Sequence, residues 1–383
     1  MSNKKKILLF TDWYEPGYKA GGPIQSCRNF VAAMQDSYRI FIITSDRDLG
    51  DRQPYPGIET DTWVMKGPEV QVWYAGPGKP GLSEIQRLAR EIDPDFVYLN
   101  SMYSWHFTIL PVWLKLKGRL PGKMILAPRG MLHQGAIRFK SLKKKLFISL
   151  LKATGVPRRM VFQATDEQER KDILHYFPSA GKVAVLANFP RSESVVRRSI
   201  EKTPGVLRCV FVSRLAPKKN LLFLLGLLRQ WPEEGSLLLT LRGEIEDREY
   251  WEKCLAVISL LPSSITVRFE GPVPNEAVTE VLQQHHIFVL PTLGENFGHA
   301  IFEALLAGKP VLISDKTPWV QLEPKKVGHD LPLEAAAFDR VLRFYAAMDQ
   351  VTYDEWSRSA MAFAKNIQQA EGLKEEYKTN LFS

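Results

Sequence analysis

Two glutamates, Glu295 and Glu303, stand eight positions apart in the stretch PTLGENFGHAIFEALLAGKPVLISD, residues 291–315. The preceding HIFVLP reads as a strand and HAIFEALLAG as a helix, which leaves TLGENFG as the turn between them. Such a turn lies at the carboxyl edge of a parallel sheet, where α/β proteins hold their ligands. Gly298 opens the helix, so the peptide N–H groups of Phe297, Gly298 and His299 lack intrahelical partners. Together with the helix dipole they make an anion site suited to phosphate. Glu295, in the loop just ahead, is placed for a sugar hydroxyl. Glu303, a turn or so into the helix, could accept from a diol such as ribose. Two carboxylates beside a phosphate weaken binding unless they accept hydrogen bonds. The pattern therefore suits a ligand that mixes phosphate with hydroxyls, a sugar nucleotide. The plainer alternative is that Glu295 caps the helix and Glu303 faces water.

Cations are supplied by FVSRLAPKKN (211–220), which sets Arg214 and Lys219 five apart across a strand-to-helix turn. Positive charge at a helix start opposes the dipole, so a merely solvated cluster is disfavoured there. Arg and Lys can neutralise a departing diphosphate without a metal. Lys218 reads as a surface neighbour. Near the amino end, TDWYEPGYKAGGPIQS forms a long loop after the first strand, and Gly21 and Gly22 permit close backbone approach ahead of a helix beginning near Ile24. Trp13, Tyr14 and Lys19 stand beside them as candidates to grip an acceptor sugar.

The elements that must position these groups follow an alternating plan. KILLF, RIFIITS, VQVWYAG, DFVYLN, KMILAP and MVFQAT read as strands, with helical patterns such as SEIQRLAREI between several of them. The plan restarts with LRCVFVS, SLLLTL, ITVRFEG, HIFVLP and PVLIS, separated by helical stretches. Continuous apolar strands between helices mean parallel sheets covered on both faces. NFPRSESVVRRSIEKTPG (188–205) reads as a linker and hinge between two doubly wound halves, with ligands expected in a cleft between them.

Bulk properties narrow the class. The 383 residues suit two domains, and 45% hydrophobic with 24% charged content is globular. A net charge of +9 points to an anionic partner. The charge is uneven: no acid occurs from residue 96 to 165, while thirteen Lys and Arg do, among them Arg138, Lys140, Lys143, Lys144 and Lys145. FKSLKKKLFISLLKATG reads as a basic amphipathic helix able to lie on an anionic leaflet, and WHFTILPVWLKLKG adds aromatic anchors. Cys27, Cys209 and Cys254 are scattered and odd in number, as in a reducing cytosol. The four-residue apolar core Ile7–Phe10 is too short for a signal peptide. No run reaches the ~18 apolar residues of a membrane span. A cytoplasmic protein, peripheral on the inner face of the plasma membrane, is expected. Two Asp-x-Asp triplets, Asp46-Arg47-Asp48 and Asp93-Pro94-Asp95, would suit a one-domain metal-dependent transferase, yet one domain does not account for the second strand–helix set.

ENFGHAIFE with ALLAGKPV, SRLAPKKN, AGGP and APRGML (127–132) together resemble glycosyltransferase family 4, in order and over nearly the whole chain. TPW at 317–319 and EGPV at 270–273 also look like the family. The resemblance implies a GT-B fold, two Rossmann-like parallel-sheet domains facing a cleft. It divides the chain into an acceptor domain, 1–190, and a nucleotide-sugar domain, 191–364, with a C-terminal helix (~365–383) returning to the first. It implies retaining, metal-independent transfer from a UDP- or GDP-linked sugar, with no cofactor, to a glycan or lipid-linked glycan in cell-surface polysaccharide synthesis. Arg214 and Lys219 would bind the diphosphate, Glu295 the sugar and Glu303 the ribose. Phe297, Gly298 and His299 would approach the phosphate, Gly21 or Gly22 the donor, and Gly271 to Val273 the base. One departure stands out: where the family usually has a histidine at the end of the fifth strand, this chain has Arg129, with His133 four residues on. The rivals are a GT-B nucleotide-sugar epimerase, or a non-enzymatic basic protein binding membrane or nucleic acid. No nucleic-acid module is evident, so nucleic acid is not an expected partner.

Overall fold

A computed structural model describes residues 4–133, 141–232, 234–369 and 371–383. The chain forms two compact units, Met1–Phe189 with Glu371–Ser383, and Pro190–Ala370.

The first unit is built on an eight-stranded sheet in the order β3-β4-β2-β1-β5-β6-β7-β8. Its strands are β1 (Lys6–Phe10), β2 (Arg39–Ser45), β3 (Trp63–Gly67), β4 (Val70–Ala75), β5 (Phe96–Leu99), β6 (Lys123–Leu126), β7 (Val161–Ala164) and β8 (Lys182–Val185). All pairings are parallel except that of β3 with β4. Alternation along β1 feeds two cores. Leu8 and Phe10 pack with Ile85 and Leu88 of α2 (Leu82–Ile92) on one face, while Ile7 and Leu9 pack with Cys27 and Phe30 of α1 (Gly22–Met34) on the other. α3 (Leu110–Leu116), α4 (Ser141–Ala153) and α5 (Glu167–Tyr176) complete the layers.

The second unit carries a wholly parallel six-stranded sheet, β11-β10-β9-β12-β13-β14. The strands are β9 (Val206–Val212), β10 (Ser236–Arg242), β11 (Ile265–Phe269), β12 (Ile287–Leu290), β13 (Val311–Ser314) and β14 (Gly328–Leu331). Its helices are α6 (Leu221–Leu228), α7 (Arg248–Ile258), α8 (Asn275–Gln283), α9 (His299–Leu306), α10 (Ala335–Ala347) and α11 (Gln350–Gln368). The last helix, α12 (Leu373–Asn380), belongs to the first unit, where Tyr377, Leu381 and Phe382 join Phe30 and Tyr98 in the core.

Every expected strand is present, and β3, β8 and β14 are additional. The segment read as a free hinge is instead largely part of the second unit. It has no helix or strand across 189–203, yet the ammonium of Lys202 is buried on the carbonyls of Thr203, Ala346 and Met348 at 3.0, 2.9 and 3.0 Å. Gln283 and Gln350 hold the carbonyls of Val196 and Ile200.

Candidate functional site

The turn after β12 is built as a rigid shelf. Thr292 is fully buried, and its hydroxyl lies 3.2 Å from the Lys218 carbonyl. The Leu293 N–H donates to that same carbonyl at 2.8 Å, tying the shelf to the turn after β9. The Glu295 N–H donates to the Lys316 carbonyl at 3.1 Å. Gly298 is the N-cap of α9 with φ 77°, a left-handed conformation that favours glycine, and a Cβ there would also crowd Ile301 Cδ1 at 2.8 Å. Gly243, which follows β10, approaches β9 so closely that a Cβ would meet the Ser213 carbonyl at 1.9 Å. The two strand ends are thereby drawn together around Arg214.

On this shelf the sequence-predicted charges meet. Lys219 Nζ contacts Glu295 Oε1 at 2.5 Å, with side chains only 14% and 12% exposed. Burial pushes the Glu295 carboxyl up. The charge and hydrogen bond of Lys219, helped by Lys218 and Thr292, more than offset it and leave the pKa below the usual carboxylate value. Lys218 is exposed as a residue, as expected, but it is coupled to the site. Desolvation of its ammonium, with Lys219 and Arg214 close by, holds its pKa below that of an ordinary lysine against the opposing pull of Glu295 and Glu246. Arg214 pairs with Glu246 at 2.8 Å and remains about one-third exposed. Arg214, Lys218, Lys219 and Glu295 thus form one electrostatic cluster at the carboxyl ends of β9 and β12.

Glu303 is buried, which excludes the plain alternative of a solvated face. It lies one helical turn after His299, which is buried too, and both side chains are engaged. Phe297 packs its ring against those of His299 and Trp319. Trp319 Nε1–H donates to the Phe297 carbonyl. The TPW motif alone assigns Trp319 no task; in the fold it fixes the backbone of the turn. Gly271 has φ 70° with open space around it, whereas the Val273 side chain belongs to the hydrophobic core. Any ligand contact at Val273 would therefore come from its backbone.

In the first unit, Gly21 (φ 64°) precedes α1, and neither Gly21 nor Gly22 has an atom within 4 Å of where a Cβ would stand. The loop ahead is held by Asp48, whose carboxylate accepts from the N–H groups of Tyr18 and Lys19 at 2.7 and 3.0 Å. That role, and the pairing of Asp46 with Arg47, give the Asp46-Arg47-Asp48 triplet structural work. Asp93 ends α2, and Asp95 accepts from the Lys6 N–H. Tyr14 is buried in the core, so it is not available to grip an acceptor, and Lys19 pairs with Asp51. Arg129 takes φ 56°, and its guanidinium is built into a buried network. Nε donates to Asn100 Oδ1 at 2.7 Å, Nη2 to the Tyr98 hydroxyl at 2.7 Å, and Nη1 to Asn188 Oδ1. Tyr98 donates to Gln163, whose amide donates to the Tyr377 hydroxyl of α12 at 2.6 Å. His133 pairs with Asp172.

The basic face falls partly outside the described residues, which exclude Arg138 and Lys140. α4 exposes Leu146 (62%) and Leu150 (58%), one turn apart. Phe147 packs on Tyr103, and Lys144 lies over the same ring at 5.2 Å, which brings α4 beside the segment carrying Trp105 (61% exposed). Among the described residues no helix is long and apolar enough to cross a membrane.

Two doubly wound parallel-sheet units of this order make the fold that of the GT-B glycosyltransferases. Residues 194–322, which contain the whole charged cluster, match the family model of glycosyl transferases group 1. Sucrose-phosphate synthase from Thermosynechococcus elongatus superposes with a TM-score of 0.71 at 16% identity, over 98% of both chains. Anabaena Alr3699/HepE, solved with UDP and glucose, gives 0.67 at 15% identity over 98% of both chains. WaaG, a glycosyltransferase involved in lipopolysaccharide biosynthesis, gives 0.64 at 14% identity, over 98% of this chain and 99% of its own. No curated protein sequence matches this chain.

Proposed function

We propose that the protein is a retaining, metal-independent glycosyltransferase. It moves a sugar from a UDP- or GDP-linked donor to a hydroxyl of a lipid-linked glycan in cell-surface polysaccharide synthesis. The observation that carries this reading is the buried Lys219–Glu295 pair, flanked by Arg214 and Lys218, on a shelf of the segment that matches glycosyl transferases group 1. The UDP and glucose bound by the HepE neighbour support the donor class.

In this account Arg214 and Lys219 hold the diphosphate, and Glu295 and Glu303 hold sugar and ribose hydroxyls. The acceptor oxygen forms its bond to the anomeric carbon on the face the diphosphate leaves. The bond from that carbon to the phosphate oxygen breaks, and the diphosphate departs with the electron pair and accepts the hydroxyl proton. The protein contributes position and stabilisation of the departing charge. Arg129, enclosed by Tyr98, Asn100 and Asn188, acts through the shape of the loop after β6. The exposed Leu146, Leu150 and Trp105, set among lysines without acids, support peripheral docking on an anionic leaflet, where a lipid-linked acceptor would reside.

The test is transfer of radiolabelled sugar from a panel of nucleotide sugars to extracted bacterial glycolipids, with EDTA present throughout. Labelled glycolipid with free nucleotide diphosphate is expected. Isomerised nucleotide sugar formed without acceptor would identify an epimerase instead, and label transfer abolished by EDTA would overturn metal independence.

A further inference from the structure

Asn296 lies between two anchored neighbours. Glu295 is paired to Lys219, and the Phe297 carbonyl is held by Trp319. The amide of Asn296 is not anchored: Nδ2 and Oδ1 are both shut off from solvent, and among the described residues neither has a hydrogen-bond partner. Buried polar atoms are nearly always paired, because an unpaired one loses its hydration without return. A structural asparagine in a turn spends its side chain on nearby backbone. Here nearby backbone donors are served elsewhere, the Gly294 N–H by the Thr292 hydroxyl and the Glu295 N–H by the Lys316 carbonyl.

An amide left with both donor and acceptor unmet matches a group that also donates and accepts. A sugar hydroxyl, or two on adjacent ring carbons, does both. An ionised phosphate only accepts and would leave Oδ1 unmet. We propose that Asn296, beside Glu295, also reads the hydroxyls of the donor sugar, its side-chain amide turning out of this closed position onto the ring when the donor binds while the backbone of the shelf stays in place. The proposal deepens the nucleotide-sugar reading of the same site and rests on it. Stability is withheld at this position in the unliganded protein and returned in the complex.

The experiment uses the full chain, wild type, Asn296→Ala and Asn296→Ser. It measures melting temperature, and calorimetric affinity for UDP-glucose and GDP-mannose against UDP and GDP. Asn296→Ala is expected to melt at or above the wild type, since the substitution deletes unmet polar atoms. Its preference for nucleotide sugar over the matching nucleotide diphosphate should fall by about tenfold or more. Should the alanine variant melt early, the serine variant carries the same comparison. An unchanged preference in the folded variant overturns the proposal and leaves Asn296 a structural residue. If the wild type binds none of the four compounds, the nucleotide-sugar reading itself falls. If it binds them and the preference survives substitution, only the role of Asn296 falls.

Discussion

Lys219 is the counter-charge of a carboxylate that is only 12% exposed, so deleting it does more than remove a ligand. Lys219→Ala strips the buried Glu295 of its main counter-charge and leaves only Lys218 and Thr292 beside it, at a cost of about 3 kcal/mol. Lys219→Met with Glu295→Gln should regain most of that stability in urea melts without regaining nucleotide-sugar binding, because the two residues act as one unit. A partial defect in stability with full binding would assign the pair a purely structural role. Histidine supplies a second residue-scale prediction. His286 accepts the Arg208 N–H on Nδ1 and donates from Nε2 to the Glu201 carbonyl, an arrangement only the neutral ring can make. Burial lowers its pKa from 6.5 to about 4. The folded state thus binds fewer protons than the unfolded chain across that window. Stability present above pH 6.5 is lost as pH falls toward 4, by roughly 3 kcal/mol from this residue. His286→Gln, which can both accept and donate there, should flatten the loss in denaturant titrations at successive pH values. That Lys219 and Glu295 belong to one edge of the sheet was legible in the sequence, because each follows a strand that recognisably ends; their direct ion pair was not, since their types suit them to different parts of the ligand. The tasks of Tyr14, Arg129 and Trp319 were not, since whether an aromatic or cationic side chain turns inward depends on neighbours distant in sequence, such as Asn100 and Asn188 for Arg129.

At the scale of elements, strands with apolar neighbours on both sides announced themselves, as KILLF, RIFIITS and HIFVLP show. β3 is a half-exposed edge strand, and β8 and β14 are four-residue edge strands, so they carry no long apolar run to find. The alternation of Ile7 and Leu9 against Leu8 and Phe10 fixed the two-faced burial in advance, but not which helices would cover it. α12 and the residues that follow it cover one face of the first unit, where the Phe382 ring, two residues past the helix, has its centroid 5.7 Å from Phe30 and 5.3 Å from Phe96. Phe382→Ala should cost about 3–5 kcal/mol by opening a cavity there. Calorimetry that resolves the transitions of the two units should show the loss in the first. An unshifted melting profile would mean that the Phe382 packing is dispensable. Removing 371–383 should be more severe, since Tyr377 also anchors the Gln163–Tyr98–Arg129 chain.

Across the whole molecule, charge is concentrated: thirteen cations and no acids in residues 96–165 against a net +9 for the chain. Vesicles of phosphatidylglycerol should sediment the protein at low salt, and vesicles of phosphatidylcholine should not. Leu146→Glu with Leu150→Glu, both on the exposed side of α4, should release it while leaving donor binding intact. Equal sedimentation with both lipids, or no effect of the substitutions, would remove the membrane from the account. Composition and charge could suggest that partner because long-range electrostatics depends on totals. They could not name the donor sugar, which depends on single hydrogen bonds. The central claim is that cations at the ends of β9 and β12 hold a nucleotide-diphosphate sugar. Calorimetric titration of UDP-glucose and GDP-mannose into wild type, Arg214→Ala and Lys219→Ala, all in EDTA, tests it most directly. The account predicts binding by the wild type to at least one donor and a loss of about a hundredfold in each variant that remains folded. Equal affinity in all three proteins, or no binding by the wild type, would contradict it.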